Sequence, residues 1–370
     1  MPPLRFPGFS DEWETYSINE ISNIVKGSGI SKEQLSKEGE ECILYGELYT
    51  KYKSEIIDEV FSKTDINSTK LTRSQHNDVI IPCSGESAED IATARCVTRD
   101  GILLGGDLNI IRFNGQNGAF MSYQLNGKRK YDIARVTQGV SVVHLYPDHL
   151  KSVKVSTPSL KEQNRIVKLL SLIDKRISTQ NKIIEKLQSL IKGLRTFIFS
   201  GLFESYAKLG EIAKLYQPQT ISTSELQSEG YIVYGANGII GHYHSYNHAR
   251  PQICITCRGN TCGQVSLTSP FSWITGNAMV VNIENKVEIN QIYLFHFLKN
   301  YNFNSIITGS GQPQIVRTPL ERIKVPITNL TEQKRIANTL DTNNKNLIIE
   351  CNLKELYVRQ KQFLLQKLFI

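Results

Sequence analysis

The longest regular pattern along the chain is a heptad. Ile166, Leu170, Ile173, Ile177, Gln180, Ile184, Leu187, Ile191, Leu194 and Ile198 recur in alternating steps of four and three, the spacing that keeps one helix face against a partner helix. Gln180 is the polar member, and a lone polar seam residue helps fix register. The seam predicts a helix of about 40 residues, roughly 60 Å long at 1.5 Å per residue. A weaker seam follows nearer the end: Ile336, Leu340 and Leu347, then Leu353, Leu356 and Phe363, interrupted by Asn343 and Asn344. Two such helices in one chain most simply pack as an antiparallel pair. Lys168, Lys175 and Lys182 lie opposite the first seam, as a solvated face or as a stripe for a partner or a phosphate.

The segments that open these helices are copies of each other. Leu150–Ile166 (LKSVKVSTPSLKEQNRI) and Leu320–Ile336 (LERIKVPITNLTEQKRI) share eight of 17 positions without a gap, at an offset of 170. Phe197, Leu202 and Phe203 fall against Phe363, Leu368 and Phe369 at an offset of 166. The second copy has therefore lost four residues, about one helical turn, which leaves its faces nearly in phase. This is an internal duplication. Each copy carries a capping-box signature, Ser159 with Glu162 and Asn329 with Glu332, in which the glutamate is expected to reach back to the cap. The shared Leu-x-Glu-Gln-x-Arg-Ile reads first as a structural helix entry.

The blocks preceding the helices are built differently. Short apolar runs such as Asp78–Cys83, Asn109–Phe113, Tyr231–Tyr234, Gln252–Thr256 and Ala278–Ile283 read as strands of a mixed α/β module. Ile18–Ile21 and Leu209–Ile212 open the two blocks with a matching phrase. Between the runs lie loops rich in Gly, Asn and Ser. Glycine permits close backbone approach, Asn, Gln and Arg can pair with base edges, and Tyr and Lys can hold phosphates. On that chemistry the candidate contacts are Tyr49, Thr50, Lys51, Ser84, Glu86, Asp107 and Asn109 in the first block. In the second they are Tyr234, Asn237, Arg258, Asn260, Asn277, Gln312 and Gln314.

Charge sharpens this division. The chain is 370 residues long with a net charge of +8. Residues 1–150 carry −5 and 203–310 carry zero, whereas 151–202 carry +8 and 311–370 carry +5. The expected readers are thus poor in positive charge and should bind weakly without added phosphate contacts. Seven scattered cysteines argue for reduced thiols and a cytoplasmic location. No apolar run reaches a membrane span, and Met1–Trp13 lacks the order of a secretory signal.

Catalytic motifs are missing. The sequence has no Gly-x4-Gly-Lys-Ser/Thr loop, His-Glu-x2-His, Gly-x-Ser-x-Gly or Asn/Asp-Pro-Pro-Tyr/Phe. His242, His244 and His248 with Cys254, Cys257 and Cys262 suggest zinc. However, strand alternation over Ile253–Arg258 puts Cys254 and Cys257 on opposite faces, so ordinary thiols and no metal are expected. Glu86 and Asp107 lack the nearby Glu/Asp-x-Lys element of a metal-dependent nuclease.

Over essentially its whole length the sequence resembles the specificity (S) subunit of Type I restriction–modification systems. The carriers are Arg5-Phe6-Pro7-Gly8-Phe9 followed by Trp13, the repeated helix starts, Gly-Ile-Ile-Gly after Tyr234-Gly235-Ala236-Asn237, and Gly309–Ile315 (GSGQPQI). The resemblance implies an α+β chain in which two α/β target-recognition domains are separated by two long antiparallel coiled-coil helices, with a pseudo-twofold internal repeat. Residues 1–150 would hold the first recognition domain, 151–203 the central helix, 204–318 the second domain and 319–370 the last helix. Each domain would read one half of a bipartite site in double-stranded DNA. The helices would set the spacer and dock two methyltransferase subunits, with restriction/translocase subunits joining for cleavage. The chain itself would be non-catalytic and bind no cofactor, leaving S-adenosylmethionine, ATP and Mg to its partners, and would have no membrane role. The first module ends in Gln138–Leu145 (QGVSVVHL) where the second has Gly-Gln-Pro-Gln, so equivalent roles are not expected throughout. The competing readings are a stand-alone DNA-binding regulator and a coiled-coil adaptor with no DNA role.

Overall fold

The computed structural model describes residues 1–66, 70–139, 142–201, 203–236, 238–284, 288–309 and 311–370. The chain divides into two compact units: Met1–Asn181 with Asn352–Ile370, and Lys182–Cys351.

In the first unit, β1 (Glu14–Ser17), β2 (Ser22–Lys26), β3 (Asp78–Pro82), β4 (Arg95–Val97), β5 (Leu108–Phe113) and β6 (Lys154–Thr157) carry the scaffold. A five-stranded sheet runs β2–β5–β3–β4 and then Ile56–Ile57. The apolar runs read from sequence are its centre: Val79, Ile80, Ile81, Ile110 and Ile111 are fully buried, as strands covered on both faces require. Helix α1 (Gly118–Asn126) packs on this sheet. Phe120, Met121 and Tyr123 from α1 join Val79, Ile81 and Ile111 in one core with Ile166, Leu170 and Ile173. Burying each such side chain stabilises by about 1.5–3 kcal/mol.

Those last three residues belong to α2, a continuous helix over Leu160–Phe199. Its other seam positions are buried or half-buried, while Lys168, Lys175 and Lys182 are exposed. The heptad therefore marks the covered face. Part of the cover in the first unit is the α/β module itself rather than a helix.

The second unit repeats the plan with β7 (Ser205–Lys208), β8 (Lys214–Tyr216), β9 (Ile253–Thr256), β10 (Val265–Leu267), β11 (Ala278–Asn282) and β12 (Lys324–Ile327). Its four-stranded sheet runs β8–β11–β9–β10, the order of the first sheet without its last strand. Helix α3 (Gln291–Asn300) takes the place of α1. Helix α4 spans Leu330–Lys367 without a break at Asn343–Asn344. In both units the strand before the long helix pairs antiparallel with the first strand of the module, β6 with β1 and β12 with β7. Residues 154–157, which the sequence groups with the helix, are thus part of the first module's scaffold.

The repeated Glu-Gln pair acquires a physical role here. Gln163 and Gln333 are fully buried, and each Oε1 accepts from the backbone N–H of a helix cap, Asn117 at 2.9 Å and Asn290 at 2.8 Å. Each Nε2 donates to the strand end before the long helix, Pro158 O at 2.9 Å and Thr328 O at 2.7 Å. One glutamine thereby locks a long helix to a module helix. The glutamates depart from the expected capping boxes. Glu162 accepts two bonds from Arg5, both 2.8 Å, and Glu332 pairs with Arg335 at 2.6 Å and 2.8 Å. Asn329 Oδ1 alone caps, from Glu332 N–H at 2.9 Å.

The long helices run antiparallel within each unit. In the first, Asp174 pairs with Lys361 at 2.6 Å and Arg176 Nη1 donates to Tyr357 Oη at 3.3 Å; in the second, Arg195 Nη2 donates to Asn344 Oδ1 at 3.1 Å. The two contact sets are copies. Lys361, which also pairs with Glu55, and Asp174 meet Tyr123 of α1, whose hydroxyl donates to Asp174 at 2.6 Å. At the offsets of the duplication, Arg195, Asn344 and His296 of α3 stand in the same places, with Arg195 Nε donating to His296 Nδ1 at 3.2 Å. Asn344 therefore occupies the position of a helix-to-module contact. Toward the end of α4 the seam differs from the sequence reading: Leu356 and Phe363 are exposed, and Leu364 and Leu368 are buried instead.

Candidate DNA-recognition surfaces

Each unit gathers its polar loops at one corner, where β3 or β9 ends. In the second unit Cys257 N–H donates to Asn277 O at 3.1 Å, and Cys257 O accepts from Ile315 N–H at 2.9 Å. Thr308 and Gln314 exchange backbone bonds of 2.9 Å and 2.8 Å, and Gly259 N–H donates to Pro313 O at 3.0 Å. The ladder leaves the side chains of Arg258, Asn260, Asn277, Gln312 and Gln314 exposed. Arg258 and Gln314 form a β-bridge. A Cβ on Gly276 would stand 2.6 Å from Thr220 Oγ1 and 2.8 Å from Pro218 O, so only glycine lets this corner close onto residues 218–220.

The first unit builds the same corner from other side chains. Cys83 N–H donates to Asp107 O at 2.7 Å, Leu145 N–H donates to Cys83 O at 2.8 Å, and Gln138 and His144 exchange bonds of 2.9 Å and 2.7 Å. Bond for bond, Cys83 matches Cys257, Asp107 matches Asn277, Gln138 matches Thr308, His144 matches Gln314 and Leu145 matches Ile315. The segments whose sequences looked unrelated thus hold equivalent backbone positions. Sequence comparison missed this because ladder bonds are made by the main chain, which leaves no identity to find. Strand registers extend the match: Lys26 ends β2 opposite Asn109, the next residue after Val25 opposite Ile110, and Gln217 is the next residue after Tyr216 opposite Val280; both are exposed.

Several predicted contacts join these corners. Ser84 Oγ donates to Asp107 Oδ2 at 3.0 Å, and Asp107 holds a left-handed φ of 58°, which Asp tolerates better than most residues. Tyr49 sits close enough to Glu86 and Asp90 that its hydroxyl pKa rises, first through burial and then through Tyr45 and these carboxylates. Thr50 is exposed and donates to Gly46 O at 2.7 Å. His144 was absent from the sequence reading, as was its neighbour Tyr146, whose ring stacks at 6.0 Å and is exposed.

Other candidates are corrected. Asn109 is wholly buried in β5 and its Nδ2 donates to Leu145 O at 2.9 Å, so it supports the corner from beneath. Tyr234 spends its hydroxyl on Ser269, accepting from the backbone N–H at 3.1 Å and meeting Oγ at 2.9 Å. Lys51 is held by Glu47 at 2.6 Å and Ser62 Oγ at 2.8 Å. Asn237 and Leu202 lie outside the described residues. Cys254 packs with Ile274 and Val280 while Cys257 packs with Ile255 and Met279, on opposite sides of β9. Burial pushes their thiols up to about 12 and about 11. Tyr216 Oη and His248 Nε2 are 2.8 Å apart. Among the described residues no three His, Cys, Asp or Glu side chains gather as a metal site would need. No described helix is long and apolar enough to cross a membrane.

One scaffold used twice, bearing two different sets of exposed polar side chains on long helices, defines a duplicated recognition subunit. Comparison with known proteins gives the family. The pattern of the Type I restriction modification DNA specificity domain matches residues 10–189 and 204–356, and the chain belongs to that family as a specificity subunit with two target-recognition domains. The Type I restriction enzyme MjaVIII specificity subunit of Methanocaldococcus jannaschii is 25% identical, with 98% of this chain and 92% of that one aligned. The EcoprrI specificity subunit of Escherichia coli is 31% identical over 36% of this chain and 34% of its own. The S subunit structure from M. genitalium superposes with a TM-score of 0.72 at 18% identity, covering 100% of this chain and 99% of that one. A second structure, from work on complex assembly and conformational transition of the type I R-M system, gives 0.57 at 16% identity, covering 99% and 98%. At those identities the agreement is one of fold. Subunits of this family recognise DNA and do not catalyse.

Proposed function

We propose that the two corners each read one half of a bipartite site in double-stranded DNA. The observation that carries this is the recurrence of one backbone corner with exchanged side chains: His144, Asp107, Ser84 and Lys26 in one unit, Gln314, Asn277, Arg258 and Gln217 in the other. A conserved frame with variable tips is what two readers of different sequences require, because base edges differ only in their donor and acceptor pattern. Two linked readers multiply their selectivities through effective concentration. Helix α2, shared by both units as one element, and α4 set the number of unread base pairs.

The same helices dock methyltransferase subunits. Ile183, Leu190 and Phe197 on α2 are 38%, 56% and 78% exposed, and at the duplication offset Ile349, Leu356 and Phe363 on α4 are 60%, 61% and 55% exposed. Apolar side chains repeated every seven residues on a solvent-facing stripe, twice over, suit two copies of a helical partner. Restriction/translocase subunits join that assembly. S-adenosylmethionine, ATP and Mg are handled by the partners, none of them by this chain, and the assembly works in the cytoplasm. The test is methylome sequencing of cells expressing this chain with its methyltransferase. A bipartite motif with a fixed gap is expected, and a continuous motif would overturn the reading.

A further inference from the structure

The duplication makes one groove comparable with its own copy, and described residues fill only one of the two. In the second unit a groove of about 670 Å³ lies at the end of α2 and the start of α4, lined by Phe197, Ile198, Phe203, Glu332, Arg335 and Ile336. The equivalent positions in the first unit are Phe363, Leu364, Phe369, Glu162, Arg165 and Ile166. There the groove is covered by residues 4–6. Leu4 N–H donates to Lys367 O at 2.9 Å, Arg5 forms its two-bond pair with Glu162, and the Arg165 guanidinium stands 6.0 Å from the Phe6 ring centroid. The covered Glu162 side chain is 1% exposed and the uncovered Glu332 is 36% exposed. Without an incoming guanidinium, Glu332 turns to Arg335. Among the described residues no segment lies over the second groove as residues 4–6 lie over the first.

We propose that the groove of the second unit receives an arginine–aromatic segment of a docked methyltransferase subunit, bound as Arg5-Phe6 is bound in the first. The arginine would displace Arg335 from Glu332 with a two-bond pair. The released Arg335 would cover the aromatic ring, and the ring would fill the apolar space beside Phe197 and Ile336. The source follows from continuity, because Phe197 both lines this groove and ends the exposed stripe on α2. This step rests on the docking reading above.

The test uses the full chain and a labelled peptide of residues 1–10, MPPLRFPGFS, followed by fluorescence anisotropy. Saturable one-to-one binding is expected, weakened about tenfold or more by Arg5→Ala in the peptide or by Glu332→Gln in the chain, and unchanged by Glu162→Gln. Prior assembly with the methyltransferase should abolish it. No binding, or binding indifferent to Glu332→Gln, overturns the proposal. Sensitivity to Glu162→Gln instead would mean exchange with the covering segment of the first unit, which also overturns it. Peptide binding that survives methyltransferase assembly excludes that subunit as the source and overturns the assignment. Copurification of the methyltransferase tests docking by itself, so the two failures are distinguishable.

Discussion

At the scale of single residues, the paired positions differ in chemistry and so in what their loss should do. Arg258 and Gln314 stand at the second corner, and His144 and Asp107 at the first. Replacing Arg258 with Ala should relax one base position in the half-site read by the second unit, losing about 1–3 kcal/mol of discrimination if the contact is bidentate. The other half-site should stay intact. His144→Ala should do the reverse. Methylome sequencing of each variant checks both, and a change in both half-sites from one substitution would contradict independent readers. His296 gives a pH prediction of its own. Burial and then the adjacent Arg195 push it down to about 4, well under the usual histidine value near 6.5. Between those two pH values the unfolded chain binds a proton that the folded chain refuses, so stability falls as pH falls through that window. Urea midpoints at pH 7 and pH 5 should differ less in His296→Gln than in the parent, and equal slopes would refute the assignment.

At the scale of elements, the long helices do three things, two with their faces and one with their length. The buried seam joins α2 to the modules and to α4, and its polar exceptions are contact points. Lys361 is the clearest. Its side chain is 12% exposed between Glu55 and Asp174, and burial pushes the Glu55 carboxyl up while Lys361 opposes the shift. Lys361→Met removes the ammonium paired with both carboxylates and leaves them facing the buried Arg95, which should cost about 3–5 kcal/mol, read as a lowered denaturation midpoint. The apolar stripes face outward, so Leu190→Lys combined with Leu356→Lys should abolish methyltransferase copurification while leaving the melting temperature within a few degrees. The helix length is the third property. Inserting four residues beside Gln180, about one turn, should change the gap in the methylated motif and leave both half-sites as they were; altered half-sites would refute the ruler.

For the whole molecule, the two kinds of sequence signal differed in how far they reached. Periodicity located the long helices and the buried strands, because one-sided burial imposes a repeat on side chains wherever it occurs. It reached Ile166, Leu170 and Val79 to Ile81 without error. It failed at Leu356 and Phe363, where apolar residues face outward and their spacing alone cannot tell a seam from a stripe. The corners were half legible. Arg258, Asn277 and Gln314 stood out by residue type, whereas Asn109 and Tyr234 have the same types and are used internally. His144 was hidden because its equivalence to Gln314 rests on main-chain bonds.

The sequence by itself determined that this protein is a duplication: two helix-forming segments with one entry motif, two strand-rich blocks, and the net positive charge carried by the helical parts. Those are properties of local pattern and of identity between copies, which one-dimensional comparison can detect. Only the tertiary structure decided which polar residues meet at a corner, that two dissimilar loops occupy one frame, and that one of two equivalent grooves is covered. Each depends on contacts between segments far apart in the chain: the shared frame of the corners is set by bonds from backbone atoms common to every residue type, and the cover of the groove by Arg5 on Glu162.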